Sequence, residues 1–199
     1  MRTILIVFAL SLMATASCNN STSSSVATAS DTTKTQTKVA SAPVQSKLND
    51  EGTQLLVSVV GKYYDLKNAL VATNADKSLS AASELGSAAH SLKASLEKDP
   101  TNSLALKPYL DTILSQCEIS SSIKDESCEK QRLAFGALSS AMYGLVKNAD
   151  LKNAHIYQEY CPMAFNDKGA HWLSDDSEIK NPYFGKKMLE CGEVTDVIK

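Results

Sequence analysis

Four separate stretches of this chain place apolar residues three and four positions apart, and that rhythm restricts the fold more than any other feature. Leu56, Val59, Tyr63, Leu66 and Leu70 form the first stripe, and Leu85, Ala89, Leu92 and Leu96 the second. Leu106, Leu110, Ile113 and Cys117 form the third, and Phe135, Leu138, Met142 and Leu145 the fourth. A period near 3.6 lays each set along one face of a helix, and such a face is stable only when buried against another. The breaks between them are short: "TNAD" at 73–76, "KDPTNS" at 98–103 and "SSSIKDES" at 120–127. Four amphipathic helices of similar length on short connections predict a mainly α protein, an up-and-down four-helix bundle. Pro100 pushes the residue before it out of helical geometry, so the second helix is expected to end there. Pro108 is then expected near the start of the third, where proline is tolerated.

After Asp150 the pattern changes. "AHIYQEYCPMAF" at 154–165 is rich in β-formers, and Gly, Pro, Asn and Asp are dense from there to Val194. A strand near 154–160, a helical turn near 184–189 and a return strand after Gly192 are expected, forming a small irregular and β C-terminal cap. The folded unit is read as one domain over 48–199, with its C-terminal motif at 154–199. Residues 19–47 contain no aromatic, Leu, Ile or Met and are dominated by Ser, Thr and Ala. Such a segment buries too little to offset its ordering entropy, so 18–47 is read as a disordered tether.

The chain opens "MRTILIVFALSLM", one positive charge before an apolar run too short to span a bilayer, the pattern of a signal peptide over 1–17. "TASC" then leads to Cys18 and resembles the lipobox of bacterial lipoprotein precursors, with Thr15 standing where the motif usually has Leu. A lipidated Cys18 would attach an exported protein to a membrane, facing the periplasm or the cell exterior, with no transmembrane helix; a plain signal peptide cut near Ala16 or Ser17 is the alternative, and it too gives an exported protein. Net charge is −2, pI is near 5.9 and the lysines are scattered, so there is no basic field for nucleic acid.

The run "YCPMAFNDKGAHWLSDDSEIKNPYFGKKMLECGEV", residues 160–194, resembles the signature of a bacterial domain-of-unknown-function family. That family occurs as exported lipoproteins and as the C-terminal domain of heavy-metal (Cu/Ag) efflux adaptor proteins. "YYDLKNALVATNADKSLSAASEL" at 63–85 and "QRLAFGALSSAM" at 131–142 continue the likeness, which covers about 50–199. The resemblance implies a setting beside soft-metal efflux and an efflux adaptor as partner; it implies no reaction. His171 stands where the family has Tyr or Asp and is not carried over as a ligand.

With Cys18 assigned to the lipid, four cysteines remain for an oxidising compartment. The simplest pairing joins Cys117 to Cys128 and Cys161 to Cys191, each bridge contributing about 3 kcal/mol. In the tail a second use competes. Cu(I) and Ag(I) prefer thiolate and thioether sulfur. Cys161, Met163, Met188 and Cys191 offer four such donors, and His155 a nitrogen. If a helical turn forms there, "MLEC" sets Met188 and Cys191 on one side of it. An extended "CPM" points Cys161 and Met163 to one face. A disulfide with core-filling methionines is equally compatible with these residues. Zinc is disfavoured, since the cysteine spacings of 11, 33 and 30 contain no close pair. Neither His155 nor His171 accompanies Cys161 with an acid-partner or oxyanion motif, so no enzyme is expected. His90 borders the second stripe and reads as a packing or surface histidine, and "DDSE" at 175–178 as a solvated turn. Tyr183, Phe184 and Trp172 either pack the cap on the bundle or form a docking patch for a partner. Two functions remain open: a soft-metal-binding envelope lipoprotein for buffering or delivery to efflux, and a disulfide-stabilised helical interaction module without metal.

Overall fold

The computed structural model describes residues 42–199, so the signal peptide, Cys18 and most of the tether lie outside the described residues. Each of the first three helices opens on a side-chain cap. α1 (Asp50–Val71) is capped by Asn49, whose side chain accepts from the Gly52 amide at 2.7 Å. α2 (Ala75–Ser95) is capped by Asn74 on Lys77 at 3.0 Å. It runs through a 3₁₀ turn at Leu96–Lys98 to Asp99, which caps α3 (Pro100–Ser122) on Asn102 at 3.2 Å. Each cap satisfies an amide that the first turn leaves orphaned. α4 (Glu129–Asn148) instead begins at Cys128, held in the left-handed region at φ 58°.

All four stripes are buried, from Leu56 through Leu145. Consecutive helices pack most extensively on one another, while α1 and α4 approach less closely. The first and last helices meet through Tyr63, which stacks on Phe135 at 5.2 Å between ring centroids and bonds Ser139 Oγ at 2.7 Å. Gly144 of α4 lies under the Tyr109 ring of α3, where a Cβ would collide with it. The third helix corrects an expectation: Pro100 opens it, because a first-turn residue needs no N–H, and Pro108 therefore lies in its interior. The carbonyl that Pro108 leaves without its amide belongs to Leu104, a residue 82% exposed.

The cap is a three-stranded antiparallel sheet: β1 (Ile156–Cys161), β2 (Ala170–Ser174) and β3 (Glu193–Ile198), in the order β2-β1-β3. β2 packs on α4. β2 was not expected from sequence. A bulge between Gln158 and Glu159 shifts the β1–β3 register. The folded part also starts earlier than residue 48. Gln45 bridges Lys152 through hydrogen bonds of 3.3 and 2.8 Å, and the Lys47 amide donates to the Ala149 carbonyl at 2.9 Å. Among the described residues no helix is long and apolar enough to cross a membrane.

Candidate functional site

Strand pairing brings the two tail cysteines together. Tyr160 of β1 faces Glu193 of β3, so Cys161, the last residue of β1, and Cys191, two residues before β3, arrive at the same end of the sheet. Their sulfurs are 2.6 Å apart. Cys161 is fully buried and Cys191 half-buried. Hydrogen bonding to Cys161, then burial, pushes the Cys191 thiol up to about 11, while the Met163 amide donating to its sulfur opposes this.

The other half of each pair reaches the same region. The chain leaves Cys161 through Pro162 and Met163 into a tight turn at Ala164–Asp167, where Phe165, Asn166 and Asp167 all take positive φ. On the opposite side, Met188 precedes a turn closed by the Cys191 amide on its carbonyl at 3.2 Å. Met163, 48% exposed, and half-buried Met188 line one open cleft with Leu133, Phe165, Phe184 and Lys187. His155 does not join them. It stands exposed just before β1, and six extended residues put it roughly 20 Å from Cys161. Among the described residues, no three His, Cys, Asp or Glu side chains are grouped so that they could hold a metal ion.

Cys117 and Cys128 remain separate buried thiols, against the expected pairing. α3 continues five residues past Cys117, which lies against Gly86 of α2, while Cys128 begins α4. Burial alone raises Cys117 to about 12, so neither its chemistry nor its place suits a reactive thiol. His90 borders a groove with Cys117 on the α2–α3 surface. His171 sits on β2 over Tyr160, ring centroids 4.5 Å apart, and partial burial lowers its pKa.

The aromatic patch is also corrected. Trp172 is wholly buried and Tyr183 is 7% exposed, so both belong to the core. Tyr183 is ringed by Phe135, Phe165 and Trp172 at 5.1 to 5.9 Å, and its hydroxyl donates to the His171 carbonyl. Half-buried Phe184, with an edge of Tyr183, lines the methionine cleft, while Trp172 does not reach it.

Two residues that sequence reasoning passed over hold this arrangement. Asn181 is fully buried: its side-chain amide donates to the Cys191 carbonyl at 2.6 Å, and its side-chain oxygen accepts from Tyr183 and Phe184. Arg132 of α4, 7% exposed, donates to the carbonyls of Pro182, Leu70 and Ser127 and to Thr73 Oγ1, with no carboxylate partner among the described residues. It therefore ties the tail loop to the end of α1. Gly185 completes the joint at φ 55°, where a Cβ would meet Thr73 Oγ1 at 2.6 Å and the Val71 carbonyl at 3.0 Å. Arg132 had a visible signal, since it lies three residues before Phe135 on the fourth stripe.

Residues 59–154 match the model of a family described as a protein of unknown function, DUF3347. The DUF3347 match runs from the third turn of α1 through α4 and ends just before β1, so it covers the bundle and stops short of the sulfur pair. It agrees with the resemblance to a domain-of-unknown-function family, and it rests on the helices, not on the tail. No curated protein matches the chain, and no solved structure does.

Proposed function

We propose that this chain is an exported lipoprotein whose tail takes up a soft metal ion, copper before others, when Cys161 and Cys191 are reduced, and is shut when they are oxidised. The observation that carries this reading is the meeting of the two thiols at 2.6 Å, on turns whose methionines, Met163 and Met188, line one cleft. Four soft donors from two short turns are the set that Cu(I) and Ag(I) prefer.

The two states of the pair exclude each other on distance. A disulfide requires the sulfurs to close to about 2.05 Å. Two thiolates on one tetrahedral ion, at metal–sulfur distances of about 2.3 Å, stand about 3.8 Å apart. Oxidation by a protein disulfide of the envelope forms the S–S bond and passes two electrons and two protons to that oxidant. Metal uptake instead opens the pair by about 1 Å and releases the thiol protons. Delivery to an efflux adaptor, the setting that the tail's resemblance implies, is the use consistent with a cleft that exposes Met163 and Phe184.

The competing reading is a disulfide-stabilised helical interaction module without metal. It is favoured by the closeness of the sulfurs and by Asn181 and Arg132, which hold the tail with no ion's help. Mass spectrometry separates the two. Protein purified without reductant is expected to show Cys161 linked to Cys191, and reduced protein given Cu(I) anaerobically to bind one ion. Unchanged copper affinity in Cys161→Ser would sink the metal reading and leave the interaction module.

A further inference from the structure

The two sulfurs of the tail are held on unequal parts of the sheet. Cys161 closes β1, the central strand, opposite Ala170 of β2, and has no exposed surface. Cys191 lies on the loop that enters β3, an edge strand, and is half-buried. That loop is fixed from within. Asn181 donates to the Cys191 carbonyl at 2.6 Å, and Gly192 passes so near β1 that a Cβ would stand 2.9 Å from the Tyr160 carbonyl.

A thiolate that cleaves a disulfide bonds to one sulfur and expels the other, and access decides which sulfur is attacked. Attack on Cys161 has to come through the core, whereas attack on Cys191 comes from its half-exposed side. The expelled Cys161 is then a thiolate in a low-dielectric interior, a costly place for a charge. Burial, then Tyr63, then Cys161 hold the buried Tyr183 hydroxyl well above its usual range, so a charge on Cys161 is felt inside the core. Cys161 is thereby driven to recapture Cys191 unless a second external thiol intervenes.

We propose that Cys191 is the sulfur through which the pair exchanges electrons with an external dithiol, and that Cys161 is its internal resolving thiol. This deepens the proposed function and rests on its redox half, the reversible bond between Cys161 and Cys191, not on metal. An incoming thiolate bonds to Cys191 Sγ, the S–S bond breaks and Cys161 leaves as a thiolate. The donor's second thiol loses its proton, attacks the donor's own bound sulfur and releases Cys191. Two electrons and two protons pass to the pair, and the dithiol becomes a disulfide. A monothiol stops at the first step and is expelled by Cys161.

Glutathione is the probe, on the purified full-length protein with a chelator present to exclude metal. Reduced Cys161→Ser is expected to take glutathione from its disulfide at Cys191 at least about tenfold faster than reduced Cys191→Ser takes it at Cys161. Peptide mapping by mass spectrometry separates both adducts from any on Cys117 or Cys128, and circular dichroism checks that the variants fold. Oxidised wild-type protein needs no variant. Quenched in acid after exposure to reduced glutathione, it should carry the adduct on Cys191 and not on Cys161, and dithiothreitol should reduce it more completely than glutathione at equal thiol concentration. The assignment is overturned by equal rates in the two variants, by an adduct on wild-type Cys161, by equal reduction with the two reagents, or by oxidised protein in which the two cysteines are not linked. Cu(I) binding by the reduced protein is untouched by any of these results and fails on its own test, unchanged copper affinity in Cys161→Ser.

Discussion

The bundle and the cap solve the same problem by different means. In the bundle, Leu56, Leu85, Leu110 and Leu138 sit in buried stripes whose stabilisation scales with apolar area and is shared among many similar side chains. In the cap, position depends on a few directional groups: Arg132 on three carbonyls, Asn181 on Cys191 and its own loop, Glu159 and Lys67 inside the sheet–helix contact. A distributed core tolerates conservative change. A joint made of single hydrogen bonds does not.

The sharpest way to break that contrast is Arg132→Lys. The substitution keeps the charge and most of the stem but cannot reproduce a fork that reaches Pro182, Leu70 and Thr73 together. Leaving buried carbonyls unpaired costs about 1 to 3 kcal/mol each, so a loss of about 3 kcal/mol or more is expected in urea unfolding. A loss below about 1 kcal/mol would mean that apolar packing holds the cap after all.

A second test uses pH. Burial, the largest cause, pushes the Glu159 carboxyl from 4.5 to about 7, with Lys67 and Trp172 opposing and Asp175 and Asp176 adding to the rise. Between those values the unfolded carboxyl has lost its proton while the folded one keeps it. The folded state holds the extra proton, so stability falls as pH rises through this window and levels off above it. The decline amounts to at most about 3 kcal/mol. Glu159→Gln should flatten the profile between pH 4.5 and 7, measured by urea midpoints. A slope that survives in this variant assigns it to another group.

Why the bundle was legible and the cap was not follows from the range of the interactions. A helical stripe is written in positions three and four apart, so Leu106 to Cys117 can be read without knowing any partner. Arg132 meets Pro182, fifty residues on, and no local pattern announces that. The sulfur pair was visible because two cysteines in one short tail have few alternatives. Cys117 and Cys128 misled for the reverse reason: they bracket a break in the sequence, yet α3 reaches Ser122 and leaves Cys117 facing Gly86. In β1 the bulge after Gln158 breaks strict alternation, so Ile156, Glu159 and Cys161 are all buried. A period-of-two reading assigns Ile156 to the face opposite the other two.

Asn181→Ala tests the joint at smaller amplitude. It removes the bond to the Cys191 carbonyl and two acceptor contacts to Tyr183 and Phe184, while Arg132 still holds the neighbouring Pro182. About 2 kcal/mol of destabilisation is expected by thermal or urea unfolding. Reduced Cys191 should also be alkylated faster, because its turn loses an anchor. Slower or unchanged alkylation would remove Asn181 from any role in positioning the sulfur pair.

The smallest effect is expected where the comparison began. Leu110→Met lies in the third stripe, fully buried, and changes shape at nearly constant volume. Methionine is unbranched and flexible at three torsions, so it refills most of the space that leucine leaves, and the neighbouring stripes yield little. Such swaps usually cost less than about 1.5 kcal/mol. Measured beside Arg132→Lys in the same denaturant series, the two substitutions are matched in intent: one preserves charge, the other volume. If Leu110→Met costs as much as Arg132→Lys, the bundle is as exacting as the cap, and the distinction between shared area and single directional contacts fails for this fold. If it costs less than half as much, that distinction is quantitative, and the tail's position depends on a handful of polar atoms that a stripe pattern does not encode.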